Sequence, residues 1–213
     1  MMADRGTLQS VLALLLVAAS AAFLPLLTGV EDAPRASILM ATLIAGACAA
    51  IVVRPAVPAA LVLFVAAHAA AWQLFVVIAP HQGAAAVSFY LLLAAAWLLA
   101  WQLVSVLSGI RASSRGGDLF LRLLIPALFG VWILILWELG VRGAGIPFVL
   151  LPPPSAVGLR IAASLPVLWA DVNQTIFRAV LVGYVLGCGA GFLAAIVADR
   201  FLFLRRGLLP IGN

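Results

Sequence analysis

From Pro55 to Ile110 the chain carries no formally charged side chain. As a single helix this stretch would far exceed the ~30 Å thickness of a bilayer's hydrocarbon core. It contains one strong break, Pro80-His-Gln-Gly83, which divides it into two spans, Val57–Ala79 and Ala84–Ile110. The whole sequence is 66% hydrophobic and 9% charged. Soluble domains carry roughly 25% charged residues, so water is excluded as the solvent of most of this surface. In hydrocarbon every backbone N–H and C=O must be paired internally, which leaves helices or closed barrels. A barrel would show short alternating segments, and these runs are continuous. The fold class is therefore all-α: a polytopic transmembrane helix bundle.

Four further runs of suitable length lie at Thr7–Thr28, Ala36–Val53, Leu123–Val141 and Thr175–Ala198, which makes about six spans. The basic start and the small residues Ala18–Ala22 mimic a secretion signal; an uncleaved first span is the expected reading. Gly207–Asn213 reads as the opening of a seventh element. All twelve basic residues are arginine, and most lie in short connections. With the N-terminus inside, eight of them (Arg5, Arg54, Arg111, Arg115, Arg122, Arg200, Arg205 and Arg206) face the cytoplasm. Arg35, Arg142, Arg160 and Arg178 then face outward, as the positive-inside rule favours. The net charge of +5 is accounted for by topology and gives no reason to expect nucleic acid as a partner. Cys48 and Cys188 lie within apolar runs and read as small buried hydrophobes.

The sequence divides into a four-span unit (1–113), a polar linker (114–122) and a C-terminal part (123–213). The irregular features lie in the last of these. Pro147 and Pro152–Pro154 hold the backbone extended or turned. Ser155 is placed to cap a short amphipathic helix, about Ala156–Leu168, with Val157, Ile161, Leu165 and Leu168 at helical spacing. This surface helix is expected between spans five and six, bent or ended by Pro166 and anchored by Trp169. Asp171 and Asn173 are the candidate starters of the last span. That span carries Gly183, Gly187 and Gly191 at four-residue intervals, which clears one face for close approach of another helix.

Residues 119–213 resemble the start of the permease core of ABC importers of the nitrate/sulfonate/taurine type. The resemblance rests on motifs in order: Trp137-Glu138-Leu139; the outer loop Ile146-Pro-Phe-Val-Leu-Leu151-Pro152-Pro-Pro154-Ser155-Ala-Val157; Thr175-Ile-Phe-Arg178 followed by the glycines; and Arg205-Arg206 before Leu208-Leu209-Pro210. Pro153 stands where the family usually has serine. The resemblance implies a permease component in a bacterial inner membrane, with a separate ABC ATPase subunit, a periplasmic solute-binding protein, a permease dimer and membrane lipid as partners. Residues 1–113 then correspond to the additional spans that long family members carry. The family's cytoplasmic Glu-Ala-Ala…Gly docking loop has no counterpart in these 213 residues. The expectation is an N-terminal part of a long permease, inactive alone.

No P-loop, serine elbow, carboxylate pair or metal-ligand cluster occurs, so no catalytic residue, metal or cofactor is expected. Glu138 and Arg178 are the candidates for a solute or gating contact, because ionisable groups in spans are costly. The competing reading pairs Glu138 with Arg142 one turn on, and lets Arg178 pair with Asp171 or reach the headgroups. His68 with Trp72 one turn on reads as helix packing. The rival function is a membrane structural or assembly protein without transport activity; an intramembrane enzyme is a third, weaker one.

Overall fold

The computed structural model describes residues 2–30, 32–53, 55–111 and 114–200. Arg54, the Arg205-Arg206 turn, Leu208-Leu209-Pro210 and the seventh element lie outside the described residues. The chain is all-α. Helices α1 (Met2–Ala21), α2 (Ala33–Val52), α3 (Ala56–Ile78), α4 (Val87–Gly109) and α5 (Arg115–Ala144) are followed by α6 (Pro154–Val172) and α7 (Leu181–Arg200). A π-helical stretch, Asn173–Val180, joins α6 to α7. Among the described residues, five helical stretches are long and apolar enough to cross a membrane: α2, α3, α4, α5 and the run Pro154–Val197. In α1 the apolar part is shorter, Thr7–Ala21. The protein is membrane-embedded by this architecture.

Contacts divide the chain into two compact units, Met1–Val157 and Gly158–Asn213. In the first unit α4 packs on α1 and α3, α2 packs on α3 and α1, and α5 joins through α4 and α3. Small residues decide how closely these helices approach. The buried face of α3 is rich in alanine, including Ala60, Ala67 and Ala70, and Leu63 and Leu74 fill between them. Gly46 of α2 lies against this face so tightly that a Cβ there would overlap Ala66 Cβ. Two polar pairs bridge helices of the bundle: Ser10 Oγ donates to Gln102 Oε1 (2.7 Å), and Gln73 Nε2 donates to Thr42 Oγ1 (3.1 Å), whereas Gln9 Oε1, Trp132 Nε1 and Trp137 Nε1 are buried without a hydrogen-bond partner among the described residues.

The connections at one end of this unit are tied together by backbone hydrogen bonds. Thr28 N–H donates to Ala84 O (2.8 Å) and Ala86 N–H to Leu26 O (2.9 Å), around an isolated bridge between Leu27 and Ala85. Ser88 Oγ donates to Pro25 O (2.7 Å). The buried Asp32 carboxylate accepts from Leu26 N–H (3.3 Å) and Leu27 N–H (2.9 Å). The Pro80–Gly83 break expected from sequence thus becomes a docked loop.

Two expectations are corrected. The linker 114–122 is helical from Arg115. Ser114 Oγ accepts from Gly117 N–H (3.2 Å), and Asp118 pairs with Arg122 (2.9 Å), so the polar residues that suggested a flexible joint start α5 instead. The surface helix is not separate from the last span. Pro166 lies inside α6, and the helix runs on through Asp171 and Asn173 without a new start. One proline removes one backbone donor, and a helix of this length tolerates that as a local defect. The π-helical stretch coincides with the most polar part of this run, Asn173-Gln-Thr175. The helical run Pro154–Val197 covers 44 residues, roughly 65 Å of helix and more than twice a bilayer's hydrocarbon thickness. Only part of it can lie within hydrocarbon when the helix stands upright.

The Gly46–Ala66 contact makes a specific demand. Gly46→Val should destabilise the bundle by about 2 kcal/mol through overpacking. Gly130→Val, where an added Cβ meets nothing within 4 Å, should change stability by less than about 0.5 kcal/mol. Unfolding of both variants in detergent measures this, and equal stability would remove the close-packing account of α2 on α3.

Candidate functional site

The two segments Trp137–Leu139 and Leu151–Ser155 meet at the end of α5. Glycine makes the geometry possible. Gly145 adopts φ +62° at the C-terminus of α5. Its N–H donates to Arg142 O (3.3 Å) and Ile146 N–H donates to Val141 O (3.1 Å), the paired bonds of a Schellman motif. Gly83 N–H donates to Arg142 O (2.8 Å), and the Gly83 and Gly145 backbones approach so closely that a Cβ on Gly145 would lie 2.7 Å from Gly83 Cα. The chain therefore turns sharply after α5. Leu150 and Leu151 N–H groups bond back to Pro147 O, and Pro152–Pro154 carry the backbone into α6.

Pro154 is the first residue of α6 and Ser155 the second. The first four N–H groups of a helix have no partner within it. Here the Ser155 N–H donates to Glu138 Oε2 (2.8 Å), and Ser155 Oγ donates to Glu138 Oε1 (2.6 Å). Glu138 is thus a cap supplied by another helix, and its negative charge suits the positive end of the α6 dipole. Arg142 closes the network. Its Nε donates to Glu138 Oε1 (2.5 Å) and its Nη2 to Ser155 Oγ (3.0 Å). The guanidinium carbon also lies 5.3 Å from the centre of the Phe75 ring, over its face. The side chains of Arg142 and Glu138 are only 15% and 12% exposed, so this ion pair is screened far less than a surface pair.

Glu138 therefore has Arg142 as its partner, as the four-residue spacing suggests, and in addition holds the outer-loop Ser155, which that spacing does not reveal. Of the loop residues, only Ser155 enters this network; Pro154 begins α6, Leu151 is exposed and Pro152 is half-buried in the turn before it. Ser155 does not cap α6 with its own side chain; its amide is the donor that is capped. Arg178 lies in the second unit, in the π-helical stretch, with Nη1 3.5 Å from Gln174 Oε1. Asp171 is not its partner among the described residues. Gly183, Gly187 and Gly191 lie along α7, and an added Cβ at any of them would meet nothing within 4 Å. A lone helix has nothing to pack on within its own unit. Cys48 and Cys188 are exposed rather than buried, on surfaces of α2 and α7. Comparison with protein-family models, curated proteins and solved structures finds no match to this chain.

The network is charge-balanced, and it pairs the Ser155 amide, which has no partner within its own helix. Glu138→Ala leaves a nearly buried guanidinium without its counter-charge, and should cost about 3–5 kcal/mol. Ser155→Ala removes one hydroxyl and should cost about 1–2 kcal/mol. The double variant should fall short of the sum by at least about 1 kcal/mol, because both side chains belong to one network. Denaturant unfolding of the three variants in detergent reads this directly; strict additivity would contradict it.

Proposed function

We propose that the chain is a membrane-spanning permease component of an ATP-driven importer for a small solute, of the nitrate/sulfonate/taurine or pyrimidine-precursor class. The observation that carries this reading is the Glu138–Arg142–Ser155 network. The two motifs of the resemblance nearest each other in sequence, Trp137-Glu138-Leu139 and the Pro-rich loop ending at Ser155, are joined by side-chain bonds into one element. A sequence likeness spread over separate segments gains weight when those segments interlock. In this reading the interlocked turn is the outer rim of the permease core, Glu138 and Arg178 are its candidate solute or gating contacts, and Gly183, Gly187 and Gly191 form a surface for close packing against another helix.

The proposed setting is a bacterial inner membrane with the N-terminus cytoplasmic, as the arginine distribution favours. An ABC ATPase subunit supplies the energy, a periplasmic binding protein delivers the solute, and two permease copies form the pathway. Lipid surrounds the remainder. A scaffold or assembly role is the second reading. It is favoured by the interior of α1–α4, which is filled by alanine and leucine and suits support more than passage.

The two readings differ in what accompanies the protein. The native gene product, tagged in its own membrane and purified after mild crosslinking, should bring down an ABC ATPase, held through the docking loop of the permease assembly rather than through residues 1–213. Deletion of its gene should abolish uptake of at least one labelled solute among nitrate, taurine, an alkanesulfonate and a pyrimidine precursor. Recovery of other membrane proteins without an ATPase, together with unchanged uptake of all four, would overturn the transport reading in favour of the scaffold.

A further inference from the structure

Between α3 and α5 lies a cavity of about 590 Å³ whose lining is almost wholly apolar. Its walls are two facing helix stripes: His68, Trp72 and Phe75 on α3, and Leu134, Ile135 and Glu138 on α5. Positions separated by three, four and seven residues share a helix face. These stripes would ordinarily pack on each other; here they stand apart and leave a groove. Its volume lies within the roughly 300–1,000 Å³ typical of small-molecule sites, where a mostly apolar wall carries a few fixed polar groups.

The polar groups at its two ends differ. At one end Glu138 and Ser155 are engaged with each other and with Arg142. At the other end, about 10 Å away along the helix, is His68. Its Nδ1 lies 2.8 Å from Phe64 O. A carbonyl oxygen only accepts, so in the neutral imidazole Nδ1 carries the proton and Nε2 keeps a bare lone pair. Among the described residues Nε2 has no hydrogen-bond partner. The ring is held in place by Phe64, 4.2 Å between centroids, and by Trp132, edge-on at 5.6 Å. An oriented acceptor thus stands in the middle of a membrane span, on the wall of an apolar groove, and hydrocarbon cannot satisfy it.

We propose that this groove is a binding site for a membrane-soluble alcohol: an elongated apolar molecule whose hydroxyl donates to His68 Nε2 and whose body lies along Trp72, Phe75, Leu134 and Ile135. Other ligand classes fit less well. An anion finds no free cation, since Arg142 is committed to Glu138 and Ser155. A cation finds a carboxylate already neutralised by the same arginine. A metal ion would have one imidazole, and no group of three His, Cys, Asp or Glu side chains occurs among the described residues. A plain acyl chain would fill the space but leave Nε2 unpaired. The site goes beyond the transport reading and stands or falls independently of it.

The test uses the full chain in lipid nanodiscs and two photoactivatable probes: a long-chain alcohol bearing a diazirine, and its methyl ether, which lacks the donor. The alcohol should label the α3 and α5 stripes about tenfold more than the ether, the discrimination that one hydrogen bond in an apolar site provides. In His68→Phe, which keeps an aromatic ring but loses the acceptor, that preference should vanish while labelling by the ether persists. The comparison of probes on the unaltered protein needs no variant to fold. Equal labelling by both probes would show an apolar groove filled by any chain, and would overturn the proposal. So would labelling confined to other surfaces, or a preference that survives in His68→Phe.

Discussion

A backbone amide without a partner is more costly in hydrocarbon than any single packing defect, and the connections of this protein are built around that fact. Within helices the amides are paired automatically. At helix ends and in loops they are not, and there the chain uses specific devices: Ser114 for α5, the Schellman turn at Gly145, Glu138 for the start of α6, and the Asp32 carboxylate for the loop amides of Leu26 and Leu27. The Glu138 cap has the widest consequences. It takes a carboxylate from one helix, places it at the positive end of the next, and balances it with an arginine a turn away.

That arrangement also explains why the Pro-rich loop has a defined path. Prolines restrict the backbone but provide no donors to anchor it. Anchoring comes from the two ends: the Gly83–Gly145 approach on one side and the Ser155–Glu138 bonds on the other. Between them Ile146–Pro153 needs few contacts of its own, and Phe148, Val149 and Leu150 are exposed. Exposed apolar residues on an anchored turn suit a position at the boundary between hydrocarbon and water. The packing of the first unit has a parallel logic. The four N-terminal helices approach closely through alanine and Gly46, whereas α5 approaches less closely and leaves the groove beside His68.

The spans were legible in the sequence because hydrocarbon imposes length and polarity on every one of them. The predicted limits of α2, α3 and α4 differ from the observed ones by a few residues. What failed was the reading of polar and proline residues as interruptions. Arg115-Gly-Gly-Asp118 suggested a joint, yet its cap and its i,i+4 ion pair make it a helix start. Pro166 suggested a bend or an end to the surface helix; it does not end it, because α6 continues through it. Local composition cannot tell a break from a tolerated defect, because the difference lies in the bonds made around it. The site was half legible. Glu138 and Arg142 are four residues apart, and their pairing follows from helix geometry. Ser155 lies beyond the turn, and only the tertiary fold shows that its amide reaches Glu138. His68 was legible as a residue in a span, but not as one facing a groove, since that depends on how far α5 stands from α3. The glycine pattern of α7 was legible in the sequence, but an added Cβ at Gly183, Gly187 or Gly191 meets nothing within 4 Å.

The central claim is that Glu138 of α5 caps the first turn of α6. Amide hydrogen exchange at Ser155 measures that bond with least ambiguity, followed by fragmentation mass spectrometry on the protein in nanodiscs. In the unaltered chain the Ser155 amide should exchange slowly although it has no partner within its own helix. In Glu138→Ala it should exchange at least about tenfold faster, while amides in the middle of α3 keep their protection. Rapid exchange at Ser155 in the unaltered protein, or equal protection with and without the Glu138 carboxylate, would contradict the account.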